Sequence, residues 1–144
     1  MTITDKILEI LNALTSGNDP LVKTVIHANA FDSNVRLDRN ETPAAILYMI
    51  DGWSVDVSTA FKRKSVDIEV FFCERYQLNA KGEVIQQVLD TVEPICDEFI
   101  SLVLSERSWE VSEIKASAAY GKFDCNVCGY SLQLKLTEKQ GQCL

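Results

Sequence analysis

Cys125-Asn126-Val127-Cys128 is the sharpest chemical motif in the chain. Two thiolates at this spacing can grip zinc, but a structural zinc site needs four ligands, usually a second such pair or histidines. The other cysteines, Cys73, Cys96 and Cys143, are scattered singly, and His27 is the one histidine. A redox pair should open a helix, whose N-terminus lowers the thiol pKa. Here Gly129 and an alternating strand follow instead. Cys125 and Cys128 are therefore weak metal candidates, and small side chains packed near a strand start are the simpler account. His27 lies between Ile26 and Ala28 in an apolar run, with no Ser or Cys partner at a recognised spacing, and reads as structural. Nucleophile elbow, phosphate loop, dinucleotide fingerprint and zinc-protease helix are all missing. Asp51, Asp56, Asp67 and Glu69 can in principle pair as acid and base across strands. On an acidic, half-exposed sheet such residues more often form a solvated face. The basic cluster Lys62-Arg63-Lys64, beside Phe61, reads first as a solvated turn whose charges discourage strand-to-strand association. Its functional reading is an electrostatic contact with an acidic partner or with passing DNA phosphate. The residues offer no strong candidate for catalysis or for a cofactor site.

Composition narrows the field in the same direction. The chain has 144 residues, 47% hydrophobic and 24% charged, which suits one folded domain spanning 1–144. Such a length buries roughly 68% of its unfolded surface, so it needs no staple or metal to fold. Fourteen Lys and Arg against twenty-one Asp and Glu leave a net charge of −7. General nucleic-acid binders usually carry a basic excess because they neutralise phosphates; no sequence-specific nucleic acid is expected here. No apolar run approaches a membrane span, and no cationic flank precedes an apolar leader, so the expected setting is soluble and cytoplasmic. Five cysteines in such a setting argue against a disulfide framework.

Elements able to position these residues follow from periodicity. Ile3, Ile7, Leu8, Ile10, Leu11 and Leu14 share one helical face, with Thr4 and Asp5 as the expected cap and first-turn acid, and Gly17-Asn18-Asp19-Pro20 closes the helix. Leu21 to Ala30 fits either a strand or more helix, and the acid-rich stretch 31–42 reads as a loop. Ala45 to Ile50 is a strand, Asp51-Gly52 a turn or bulge, and Trp53, Val55 and Val57 alternate with polar residues. After a loop over 59–64, Val66, Ile68, Val70 and Phe72 alternate with Asp67 and Glu69 in the clearest strand, joined to its predecessor as an antiparallel hairpin. A long helix runs from about Glu83 to Leu104, with a kink or a fresh start at Pro94. Trp109 and Val111 begin another strand, Tyr130, Leu132, Leu134 and Leu136 alternate in the last, and the tail 138–144 is expected to fray. The pattern predicts an α+β domain: an antiparallel β-sheet with an N-terminal helix and a long second helix packed on one face.

The N-terminal helix, the meander opening at Pro43-Ala44-Ala45-Ile46, the hairpin ending in Ser65-Val66-Asp67-Ile68-Glu69-Val70, the long helix and the closing segment Phe123 to Tyr130 together resemble the tail terminator and tail-completion proteins of long-tailed bacteriophages. The likeness spans about residues 3–137 and rests on element order, length and strand pattern. It implies a non-enzymatic head–tail joining component of the virion, assembled in the host cytoplasm. Its subunits would join as a homo-oligomeric ring, typically a hexamer, capping the tail-tube protein and facing the head connector protein. An acidic ring lining would let DNA pass without sticking. In that setting Phe61, Lys62, Arg63 and Lys64 fall at a generic hairpin-loop position, at an interface or lumen surface. The cysteines and the polar stretch 31–42 depart from the family pattern. Two rivals stand beside it: a small α+β module of host origin binding a ligand or peptide, which needs a deep apolar pocket with converging polar groups, and a zinc or thiol protein built on Cys125 and Cys128.

Overall fold

A computed structural model describes residues 2–29, 41–50, 52–57, 63–77, 82–122 and 126–139. Helix α1 (Ile3–Ala13) begins at a reciprocal cap: Thr2 Oγ1 accepts the Asp5 N–H and Asp5 Oδ2 accepts the Thr2 N–H, each at 3.1 Å. The cap is Thr2 and not Thr4, because the acid that completes a capping box must lie three residues after it. Ile3, Ile7 and Leu11 are buried, and Gly17, with φ +97°, supplies a left-handed position after the helix end.

The ambiguous run after Pro20 forms strand β1 (Thr24–Ala28). Strands β2 (Ala44–Tyr48), β3 (Trp53–Asp56) and β4 (Arg63–Arg75) follow. Helix α2 (Gly82–Ser105) then leads to β5 (Trp109–Lys122) and β6 (Val127–Glu138). Strand β4 takes in Arg63 and Lys64, which were expected in the loop. Helix α2 runs unbroken through Pro94, so the alternative of a fresh start there is excluded. Pro94 withholds one N–H, and because both Pro94 and Asp90 are exposed, water can reach the carbonyl left over.

The fold is α+β, with six strands in the order β1-β2-β4-β6-β5 and β3 alongside β4. The expected antiparallel sheet is in fact mixed: β1 and β2 pair in parallel, from Thr24↔Ala44 to Ala28↔Tyr48. A short apolar run carries no signal for the direction of its partner, which is why periodicity missed this. All other pairs are antiparallel, β4 against β6 being an uninterrupted ladder from Ser65↔Thr137 to Arg75↔Val127. Strands β2 and β3 lie along the same side of β4 as one interrupted edge. Leu47 pairs with Val70 and Trp53 with Val66, so six steps on one side meet four on the other, and two residues are extra. That is the irregularity foreseen at Asp51-Gly52; Asp51 itself lies outside the described residues, as do 30–40 of the acid-rich stretch and 140–144 of the tail.

Both described helices cover one sheet face. Ile7, Leu11, Val92, Phe99 and Val103 pack on Leu47, Val70, Phe72, Leu132 and Leu134. The Phe72 and Phe99 rings meet at 5.2 Å between centroids, tilted by 55°, a geometry that suits the ring quadrupoles. Trp109 is buried at the end of α2, its Nε1–H donating to the Val103 carbonyl at 3.0 Å. A second apolar cluster, including Ile26, Ile46, Phe71, Cys73 and Val127, lies on the other face toward the β1 side. No described helix is long and apolar enough to cross a membrane.

Candidate functional site

The sheet face that the described helices leave uncovered carries most of the charged candidates. Asp67, Lys135 and Glu113 stand side by side on β4, β6 and β5; one pleat along, Glu69, Gln133 and Lys115 do the same. Opposite charges alternate across the strands, an arrangement that stabilises a sheet surface by a few tenths of a kcal/mol to about 1 kcal/mol per pair. Ser131 Oγ donates to Glu69 Oε1 at 2.7 Å. These residues floor a broad trough open to solvent, bordered by Tyr48, Met49 and Trp53. Asp67 and Glu69 thus project from one strand and do not pair across strands. Asp56 is placed by its backbone pairing to Arg63. The trough has no enclosed apolar cavity with converging polar groups.

The thiols are packed, not poised. Cys73, Cys96 and Cys128 are buried. Burial, helped by the nearby Asp97 and Glu93 carboxylates, pushes the Cys96 thiol up to about 12. Burial and the Glu74 charge likewise raise Cys128. Both effects suppress the thiolate, which is the nucleophile and the metal ligand. Cys125 lies outside the described residues. Among the described residues no three His, Cys, Asp or Glu side chains gather as metal ligands. His27 sits half-buried in β1, opposite Leu47.

One constellation escaped sequence reasoning. Lys6 Nζ donates to Ser108 Oγ at 2.5 Å and lies 5.9 Å from the Trp109 ring centroid. A serine beside a lysine can serve nucleophilic catalysis when the lysine is neutral and the serine accessible. Ser108 is 7% exposed, so the pair works instead as a clamp between α1 and the start of β5. Glu106 completes it, its Oε1 accepting the Arg107 and Ser108 N–H groups at 3.0 and 3.2 Å. Burial pushes the Glu106 carboxyl up, but hydrogen bonds from Ser108, the Lys6 charge and the Arg107 N–H outweigh it and hold the group below its ordinary value. A sequence separation of 102 residues leaves no local signal for this contact.

The basic cluster divides. Phe61 and Lys62 lie outside the described residues. Arg63 Nη2 pairs with Glu110 Oε2 at 2.8 Å, while its Nε donates to the Glu138 carbonyl at 3.1 Å. Lys64 Nζ sits 4.9 Å above the Trp53 ring, a cation–π contact worth about 0.5–1 kcal/mol when exposed. Trp53 and Val57 are 64% and 73% exposed, and Val55 is exposed too. In the sequence these three residues alternate with polar ones. Trp53 and Val55, paired with Val66 and Lys64, face the helix side, yet the described helices do not cover them. Large apolar side chains in a row on an edge strand are the least expected feature of an otherwise acidic surface. Comparison with protein-family models and with curated protein sequences yields no match.

Proposed function

We propose that the chain is a non-enzymatic assembly subunit, a tail terminator or neighbouring head–tail joining component of a long-tailed phage or prophage. Copies of it join as a ring that caps the tail-tube protein and presents its far side to the head connector protein in the virion. The observation that carries this reading is the exposed row Trp53 and Val55 on edge strand β3 and Val57 just after it. Apolar area left in water there is recovered when another chain covers it, at about 25 cal/mol per Å². The β5 edge is built to stay single: it has register irregularities between Val111 and Glu113 and between Ala119 and Lys122, and carries Glu110, Glu113 and Lys115. Irregularities and charges of that kind discourage strand addition. The open, charge-alternating trough fits a solvated surface better than a ligand pocket, which favours assembly over the host binding module. High thiol pKa values at Cys96 and Cys128 weigh against a thiol enzyme.

Light scattering coupled to size exclusion tests the proposal. A discrete multiple of the 16.1 kDa protomer is expected, with closed rings in negative-stain images and binding to the end of the tube. A strict monomer at high concentration, in low and high salt and with tube protein present, would overturn it.

A further inference from the structure

We infer that the β3 corner docks on the outer face of α2 in a second copy of this chain, with Lys64 against Asp97 and Trp53 and Val57 against Leu104. The inference rests on the assembly reading above and specifies which two surfaces meet.

The corner combines an apolar platform with one available cation. Strand β3 bonds to β4 alone. Lys64 Nζ lies over the Trp53 ring, and among the described residues no carboxylate is within ion-pair distance of it. Two neighbouring acids are committed elsewhere: Glu138 Oε1 accepts the Lys64 backbone N–H at 2.9 Å, and Glu110 holds Arg63.

The outer face of α2 has the complementary character. The helix carries Glu83, Asp90, Glu93, Asp97 and Glu98 with no Lys or Arg, and all five acids are exposed. Glu83, Asp90, Asp97 and Leu104 recur every seven residues, which is close to two helical turns, so they form one line about 10 Å apart along the axis. Leu104 ends that line, 60% exposed. No basic residue stands in the last turn of α2, so the negative end of the helix dipole has no cation from its own turn, and a cation from outside is favoured there. Asp97 and Leu104, about 10 Å apart, thus offer a carboxylate and an exposed leucine along one face, as the corner offers a lysine and an exposed tryptophan. Glu83 and Asp90 lie farther from Leu104 along that line, which is why the contact is assigned to Asp97.

A charge-exchange experiment on the full-length chain tests this by sedimentation velocity. Lys64→Glu alone and Asp97→Lys alone should each weaken self-association by about tenfold or more, because like charges then face each other. A mixture of the two variants should reassemble, since each corner again meets an opposite charge. Trp53→Ser, which removes the platform without altering charge, should weaken association in both low and high salt. Thermal melts confirm that each variant is folded. If the wild type assembles and the variants do so equally well, or the mixture is no better than either alone, the docking assignment is wrong while the assembly reading stands. If the wild type never associates, both fall.

Discussion

Replacing Gly129 with alanine should destabilise the domain out of proportion to the one carbon added. Gly129 lies opposite Cys73 of β4 and Ala119 of β5, inside the central ladder of the sheet. A Cβ built there falls on the Phe72 carbonyl oxygen and 2.8 Å from both the Phe72 carbonyl carbon and Cys73 Cα. All three obstacles are backbone atoms, so no side-chain rotation relieves the overlap and β4 and β6 must separate locally. Overpacking of this kind costs about 1–3 kcal/mol, and weakening one ladder hydrogen bond adds about 1 kcal/mol. The stiffer unfolded chain returns about 0.4–1 kcal/mol. The net expectation is about 1–3.5 kcal/mol, or roughly 3–12 °C in Tm for a domain of this size. Urea unfolding measures it, with a lowered midpoint at unchanged slope. Gly52→Ala is the control, because a Cβ there meets nothing within 4 Å; it should stay within about 0.5 kcal/mol of wild type. If the two variants unfold together, the close approach of β4 and β6 does not constrain residue 129 and the reasoning is refuted.

Phe99, fully buried against Phe72, should cost about 3–5 kcal/mol when cut to alanine, read from the same urea curves. Thr2→Ala removes one half of the α1 cap and should cost about 0.5–2 kcal/mol, whereas Thr4→Ala should cost less. Asp5 and Glu106 both lie below their ordinary values when folded, Asp5 chiefly through the Thr2 N–H hydrogen bond. Each prefers the charged, folded state, so their contribution is full above the unfolded value near pH 4–4.5 and is lost as pH falls through the folded ones. Melting temperature should therefore drop below about pH 4.5, and Glu106→Gln should flatten that drop. Cys96 should react with a thiol reagent at pH 8 far more slowly in the folded protein than in urea, since its thiolate is suppressed.

Periodicity located both helices and all strands of the longer pairs because one buried face imposes a period of 3.6 or 2 on the sequence. The faces of β4 and β6 came out as expected: Val66, Ile68, Val70 and Phe72 with Leu132, Leu134 and Leu136 inward, Asp67 and Glu69 outward. What periodicity lacks is a partner. It could not assign Thr24–Ala28 to a strand, nor make it parallel to β2, since both depend on residues far away. Strand β4 begins two residues earlier than charge suggested, because Arg63 and Lys64 pair with Asp56 and Val55. The surface argued to be functional was half legible. Lys64 stood out by charge, but the exposure of Trp53 did not, since alternation tells which face a side chain takes and not whether anything covers it. The Lys6–Ser108 clamp was illegible for the same reason as β1: its two ends are brought together by the finished fold.

The two surplus residues between Leu47 and Trp53 have an arithmetic consequence for how this protein can vary. Side chains alternate sides at every step of a strand, so an even surplus leaves Trp53 and Val55 on the side that Leu47 occupies. Deleting or inserting a single residue in this stretch would invert β3, placing Ser54 on the side where Trp53 now stands. Removing or adding a pair would leave that orientation intact. Length drift at this site is therefore quantised in twos.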